Sequence, residues 1–446
     1  MSDVSEETLL EEPGLASWRT LLRSFGTLAV GEVLGRLAGL LALILLARRL
    51  HPYGFGLIIL GTTLLNWFAI VADSGTEVIT TRNVSRQPER FRSIVDDVLG
   101  LRLALSVIAA ALFVAVILIT TGGGLKASVL LPFALALPAL ALNLRWILLG
   151  VEAPRPVAIG NISSQLLFTA GVVLLITGED NVRDVPFLRV AAEFLYAAIV
   201  LASLARRFGV PRPRIDMQVW RSTLGQSLPL LATNIARTML YSADLFLIAV
   251  ILGSRQTGFY GAAYKPVLFM AGINALYSTS FLSSFSAARS QGRRDRLTSS
   301  TLRAGIGISV PIAGFATLAA PLLVPILYGH VYDSAIAPLA ILAWSIPLVA
   351  MGVPYAGALV AADRQGTLMR HNGLAAGLNV AANLVAIPLL GIDASATITV
   401  ASFTLVLVLN HRSATTAGLV PPIGDAIRSR GQPPAAVEAR SSAAER

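Results

Sequence analysis

Along the chain, apolar runs of about 20 residues alternate with short polar breaks, and that length lets an α-helix cross the hydrocarbon core of a bilayer. The runs cover 22–47, 55–78, 98–119, 127–150, 157–177 and 188–205. A basic, proline-bearing stretch, RRFGVPRPRIDMQVWRS, follows them. Six further runs cover 228–252, 259–285, 302–327, 335–361, 373–390 and 394–409. The pattern predicts an all-α membrane protein of about 12 transmembrane helices in two six-helix lobes. The lobes would span 22–205 and 226–410, joined by a basic linker at 206–225. A cytoplasmic N-terminal segment, 1–21, and a disordered cytoplasmic tail rich in Ala, Pro, Ser and Arg, 411–446, would flank them.

Composition supports the membrane reading. Of the 446 residues, 55% are hydrophobic and 13% charged, against about 25% charged in a soluble domain. The net charge of +10 does not point to nucleic acid, because the basic residues are scattered over short loops. It points to topology, since Lys and Arg accumulate on the cytoplasmic side. Arg206, Arg207, Arg293, Arg294 and Arg296 belong to the basic-rich set of loops; Arg48, Arg49, Lys126, Arg183, Arg189 and Arg255 make up the sparse set. The bias predicts that both termini are cytoplasmic. The first residues are acidic and lack the basic start and cleavage site of a signal peptide, so the first apolar run is expected to stay as a membrane helix. With no cysteine and no metal-ligand spacing among the four histidines, disulfides, thiolate chemistry and a zinc motif are not expected, and neither is any cofactor.

An internal echo joins the halves. RRLHPYGFGLI, between the first two runs, resembles GSRQTGFYGAA, between the seventh and eighth, with Gly54-Phe55 matching Gly258-Phe259. Repeats of this kind put a substrate site between lobes, near the bilayer midplane.

Charged residues within the runs are the candidate chemistry, because each costs about 2.5–3.5 kcal/mol to insert. Arg36 follows Glu32 by four residues, so the two share a helix face. Arg237 and Asp244 are two turns apart on one face, and Lys265 stands beside Pro266. Each has two readings, a cavity-facing group or a structural ion pair or snorkelling cation. Asp73 and Glu77 read as end-of-helix acids, Asp96-Asp97 as a solvated helix start, and Glu193 as a candidate for ion coupling.

An ordered series of stretches resembles the polysaccharide-transporter branch of the multidrug/oligosaccharidyl-lipid/polysaccharide (MOP) flippase superfamily. The series is RLAGLLALILLARRLHPYGFG with VADSGTEVITTRNVSR, then SLPLLATNIARTMLYSADLFLIAVILGSRQTGFYGAAYK, ILYGHVYDSAIAPLAILAWSIPL and LNVAANLVAIPLLGIDASA. Asp393 departs from it, standing where a glycine is common. The resemblance implies a bacterial inner-membrane flippase for polyprenyl-pyrophosphate-linked oligosaccharide, V-shaped, with a cationic central cavity. Its partners would be the lipid-linked substrate, membrane lipids, and glycosyltransferases and a polymerase of the same pathway. Arg36, Arg237 and Lys265 would meet the pyrophosphate, with Glu32 restraining Arg36 when the site is empty and Asp244 counted among the substrate-site residues. A cation-coupled multidrug exporter of the same superfamily and a membrane glycan polymerase or ligase are the alternatives. Two arginines and a lysine in the matched helices argue against cationic drugs, and short outer loops argue against an enzyme. No phosphate-binding loop for ATP occurs in the sequence.

Overall fold

The computed structural model describes the backbone of residues 18–86, 91–151, 153–288 and 290–428, with side chains from Leu34 onward except at 271–277 and isolated positions. Glu32 therefore lies outside the described side chains. Among the described residues there are helices and no strands. Nine segments among the described residues are long and apolar enough to cross a membrane.

Two of these segments are helix pairs. Helix α1, Trp18–Asp73, breaks at His51 (φ 52°), and Pro52 opens its second arm, where a missing N–H costs nothing. Helix α14, Gln365–Thr416, breaks at Gly391 (φ 73°), a left-handed position that glycine adopts without strain. Between them run α2 (Thr76–Arg86), α3 (Phe91–Thr121), α4 (Gly124–Leu130), α5 (Ala136–Leu142), α6 (Arg145–Gly150), α7 (Pro154–Leu175) and α8 (Val185–Phe208). Next come α9 (Met217–Ile251), α10 (Ser254–Ser286), α11 (Gln291–Tyr328), α12 (Ile336–Leu342) and α13 (Ser345–Ala361), and α15 (Ile423–Arg428) follows α14.

The fourth apolar run of each half is interrupted in the same manner. A 3-10 stretch, Leu131–Leu135, precedes α5, and another, His330–Ala335, precedes α12. Interrupted segments at corresponding places in two halves add to the evidence for an internal repeat.

The two matched Gly-Phe turns meet each other. A Cβ on Gly56 would lie 1.8 Å from the Ser254 carbonyl oxygen, and one on Gly258 would lie 2.0 Å from that of Pro52. Only glycine permits this backbone-on-backbone approach. Phe55 and Phe259 both set their rings edge-on to Tyr332, at 6.2 and 5.9 Å, and the Tyr332 hydroxyl donates to the Ala47 carbonyl at 2.8 Å. Beside this joint, Arg49 donates to the carbonyls of Val172, Val173 and Ile176 at 2.8, 2.8 and 2.6 Å. Arg48 donates to the carbonyls of Leu327 and Ile326. The two neighbouring arginines thus satisfy orphan carbonyls at the ends of α7 and α11.

The linker is shorter than the expected 206–225, because α8 runs to Phe208 and α9 starts at Met217. It is strapped across α3. The Arg212 N–H donates to the Asp96 carboxylate at 2.8 Å, and the Arg214 N–H to the Asp96 carbonyl at 3.0 Å. Trp220 Nε1 donates to the Asp97 carbonyl at 3.1 Å. A Cβ on Gly100 would sit 2.1 Å from the Arg214 carbonyl oxygen. Asp96-Asp97 is thus the linker's anchor and not a solvated helix start, and Asp97 is buried. The tail also differs from expectation. Helix α14 continues to Thr416, and α15 packs back on α11, so 411–428 is ordered.

Candidate functional site

Helices α1, α7, α8 and α10 enclose a cavity of about 620 Å³. Its walls form because α1 carries Gly35 and Gly39 one turn apart. A Cβ on Gly35 would lie 3.0 Å from the Asn161 amide nitrogen, and one on Gly39 would lie 3.1 Å from Gln165 Oε1. Two missing side chains thus let the amides of α7 approach α1, the small-residue packing familiar between membrane helices. Thr169 reinforces the contact by donating to the Ala38 carbonyl at 3.0 Å.

Arg36 of α1, Arg189 of α8 and Lys265 of α10 all line this cavity, and among the described side chains no carboxylate does. Lys265 makes no ion pair among the described residues and lies near enough to Arg189 for the two positive charges to repel. Arg189 is tied to Glu193, one turn along α8, at 2.5 Å.

A second cavity of about 470 Å³ shares Asn161, Gln165 and Arg189 with the first. Its charges come largely in pairs. Arg102 meets Asp73 at 3.0 Å and Arg145 meets Glu77 at 3.8 Å. Asp73 and Glu77 are therefore ion-pair partners on a cavity wall rather than solvated helix ends. Arg237 also lines this space and is exposed. A third cavity of about 510 Å³ continues from it through Asn234 and Arg237, into the second half of the chain.

Among the residues singled out in the sequence, Arg36 and Lys265 thus share one chamber and Arg237 faces the next. Asp244 is not with them. It is 1% exposed, and its carboxylate accepts from the Tyr260 hydroxyl at 2.5 Å, the Thr399 hydroxyl at 3.1 Å and the Leu245 N–H at 2.8 Å. Two turns amount to about 10 Å along a helix axis, enough to carry that side chain from the cavity wall into the packed core of α9, α10 and α14. Asp244, a substrate-site candidate in the sequence, thus sits in that core and lines none of the three cavities.

Arg189 went unrecognised because it stands near the end of its run and counts among the loop residues. Its signal was the i,i+4 spacing to Glu193, the same spacing that drew attention to Arg36 and Glu32. Arg102, inside the run 98–119, is a further charge not singled out in the sequence.

Residues 21–283 match the family model described as polysaccharide biosynthesis protein. Among solved structures, the chain is similar to the lipid II flippase MurJ in an inward closed conformation. The TM-score is 0.71 with 15% identity, over 90% of this chain and 89% of that one. It is also similar to an inward-facing multidrug resistance MATE family transporter of the MOP superfamily. There the TM-score is 0.68 with 13% identity, over 86% of this chain and 95% of that one. A third likeness, to a MOP superfamily transporter from Pyrococcus furiosus described as having a binding pocket of reverse polarity, has a TM-score of 0.63. It has 13% identity, over 89% of this chain and 96% of that one. No curated protein matches the sequence. The likenesses agree with the helical architecture, and the family match covers more than half of the sequence. The chain belongs to the polysaccharide biosynthesis protein family and is a multi-pass membrane protein with the fold of the MOP-superfamily transporters and flippases.

Proposed function

We propose that this protein is a flippase that carries a polyprenyl-pyrophosphate-linked oligosaccharide across the bacterial inner membrane by alternating access. The observation that carries this reading is the chamber in which Arg36, Arg189 and Lys265 meet. Each intramembrane cation costs about 2.5–3.5 kcal/mol to insert, and a space that gathers three of them, one paired with Glu193, favours an anionic occupant. A pyrophosphate fits, since guanidinium groups bind phosphate oxygens through paired hydrogen bonds and an ammonium adds a point charge.

The chemistry asked of the protein is binding and release, with no bond made or broken, so the protein is not an enzyme in this reading. Arg189 has two partners to exchange between, Glu193 when the site is empty and phosphate when it is filled. The polyprenyl tail stays in lipid while the headgroup moves. The glycine joint between 51–58 and 253–260 closes the outer end of the central space and must part for release. Both termini are cytoplasmic in this scheme. The drive is an ion gradient or consumption of the flipped lipid by glycosyltransferases and a polymerase of the same pathway.

The drug-exporter alternative is disfavoured by the same chamber, because a lipophilic cation would meet three like charges. Proteoliposomes separate the two. Translocation of a lipid-pyrophosphate saccharide without efflux of a lipophilic cationic dye is expected. Dye efflux without saccharide translocation would overturn the reading.

A further inference from the structure

We propose that the cavity in the second half of the chain is a sugar subsite, which accepts the first one or two neutral sugars attached to the pyrophosphate. The inference rests on the flippase reading and adds the class of glycan next to the phosphate.

Its chemistry differs from that of the cationic chamber. The cavity of about 510 Å³ is lined by amides, hydroxyls, an aromatic pair and aliphatic side chains; among the described residues it has no carboxylate and a single cation, Arg237, which it shares with the second cavity. Its volume falls within the roughly 300–1,000 Å³ of pockets that enclose small molecules. The amides of Asn234 and Asn372 and the hydroxyl of Tyr241 make no hydrogen bond among the described residues, although all three line the cavity and are only partly exposed. A ligand rich in hydroxyls can bond all three, since each amide both donates and accepts and the phenol does the same. A neighbouring amide in the same wall, Asn410, is already held by His371 at 2.8 Å. The wall therefore contains both fixed and open hydrogen-bonding groups.

Sugars are amphipathic, with hydroxyls around the ring edge and C–H groups on the faces. The cavity offers a matching apolar surface where the Tyr241 ring lies 4.9 Å from that of Phe403, tilted by 60°. Aromatic side chains with a polar tip suit such half-polar ligands. A lining without acids among the described residues, with one cation shared with the neighbouring cavity, favours a neutral sugar beside a negative phosphate. The order along the connected space is then Arg36, Arg189 and Lys265 for pyrophosphate, Arg237 between, and Asn234, Asn372 and Tyr241 for the glycan.

The test uses the full chain in lipid nanodiscs and two probes, a short-chain polyprenyl pyrophosphate and the same lipid bearing one N-acetylhexosamine. Wild type is expected to bind the glycosylated probe more tightly. Asn372→Ala and Tyr241→Phe should each erode that preference roughly three- to tenfold, the loss of one or two hydrogen bonds, while thermal melting confirms an intact fold. Arg36→Ala should weaken both probes alike. Equal affinity of wild type for the two probes, or a preference unchanged in both variants, would overturn the subsite and leave the cationic chamber standing. Failure of wild type to bind either probe would instead overturn the flippase reading, and the subsite with it.

Discussion

Arg189 and Glu193 form the ion pair on which the cationic chamber turns. While Glu193 holds the guanidinium at 2.5 Å, part of the chamber's charge is spoken for. Replacing the acid by its neutral isostere, Glu193→Gln, should release Arg189 toward the ligand. Affinity for a lipid pyrophosphate is then expected to rise about tenfold, or ~1.4 kcal/mol, and turnover to fall as release slows. A binding isotherm beside a transport time course checks both, and unchanged affinity would remove Arg189 from the ligand-binding set. A second pair is asymmetric. Asp73→Ala strands the guanidinium of Arg102, whose side chain is 7% exposed, whereas Arg102→Ala strands a carboxylate that is 24% exposed. The first substitution should cost more, about 3 kcal/mol of stability, since removing one member of a buried pair leaves an uncompensated charge. Melting curves of the two variants and of the Asp73→Ala/Arg102→Met double variant test this, and the double variant should recover part of the loss.

Among the elements, the glycine joint and the linker strap are the parts with mechanical consequences. Gly56→Leu puts a side chain where the Ser254 carbonyl already stands, so the first and second halves must separate there. Labelling of a cysteine introduced at Thr62, a cavity-lining position, should become faster from the outer side in this variant. A Gly307→Leu control has open space around it and should leave labelling unchanged. The strap predicts a separate effect. Asp96→Ala removes the acceptor for the Arg212 N–H, so protease cutting between Phe208 and Met217 should rise while melting changes by about 1 kcal/mol or less. These elements were legible in the sequence to different degrees. Apolar runs placed the middle of each helix, because burial in lipid demands long uniform stretches, but α9 and α11 begin at Met217 and Gln291, well before the runs that start at 228 and 302, in polar sequence outside the apolar core. The matched Gly-Phe turns could be read as a repeat, but not as a joint, since nothing local encodes which distant backbone a glycine must admit. Residues 429–446 lie outside the described residues, and the first part of the tail, 411–428, departs from expectation for a related reason. Its polar composition hides a short helix, α15, whose order comes from packing on α11.

Taken as a whole molecule, the chain gathers charges from distant runs into connected chambers. Arg36 and Lys265 could be picked out because a charge inside an apolar run is costly, and both line the same space. Arg189 and Arg102 escaped because their position near a run's end mimics topology signals. Asp244 misled because the periodicity of a helix gives the direction of a side chain and not the depth of the cavity it faces. The neutral amides of α7, α9 and α14 carried no sequence signal, since their meaning arises only where helices enclose a volume.

The central claim is that the chamber of Arg36, Arg189 and Lys265 holds a lipid pyrophosphate during its passage across the bilayer. The measurement that tests it most directly is leaflet-to-leaflet translocation of a polyprenyl-pyrophosphate saccharide in proteoliposomes, comparing wild type with Arg36→Ala, Lys265→Ala and Arg36→Lys. Translocation by wild type, its loss by at least tenfold in both alanine variants at equal membrane insertion, and partial recovery in Arg36→Lys are the expected results. Wild-type rates in both correctly inserted alanine variants would contradict the account.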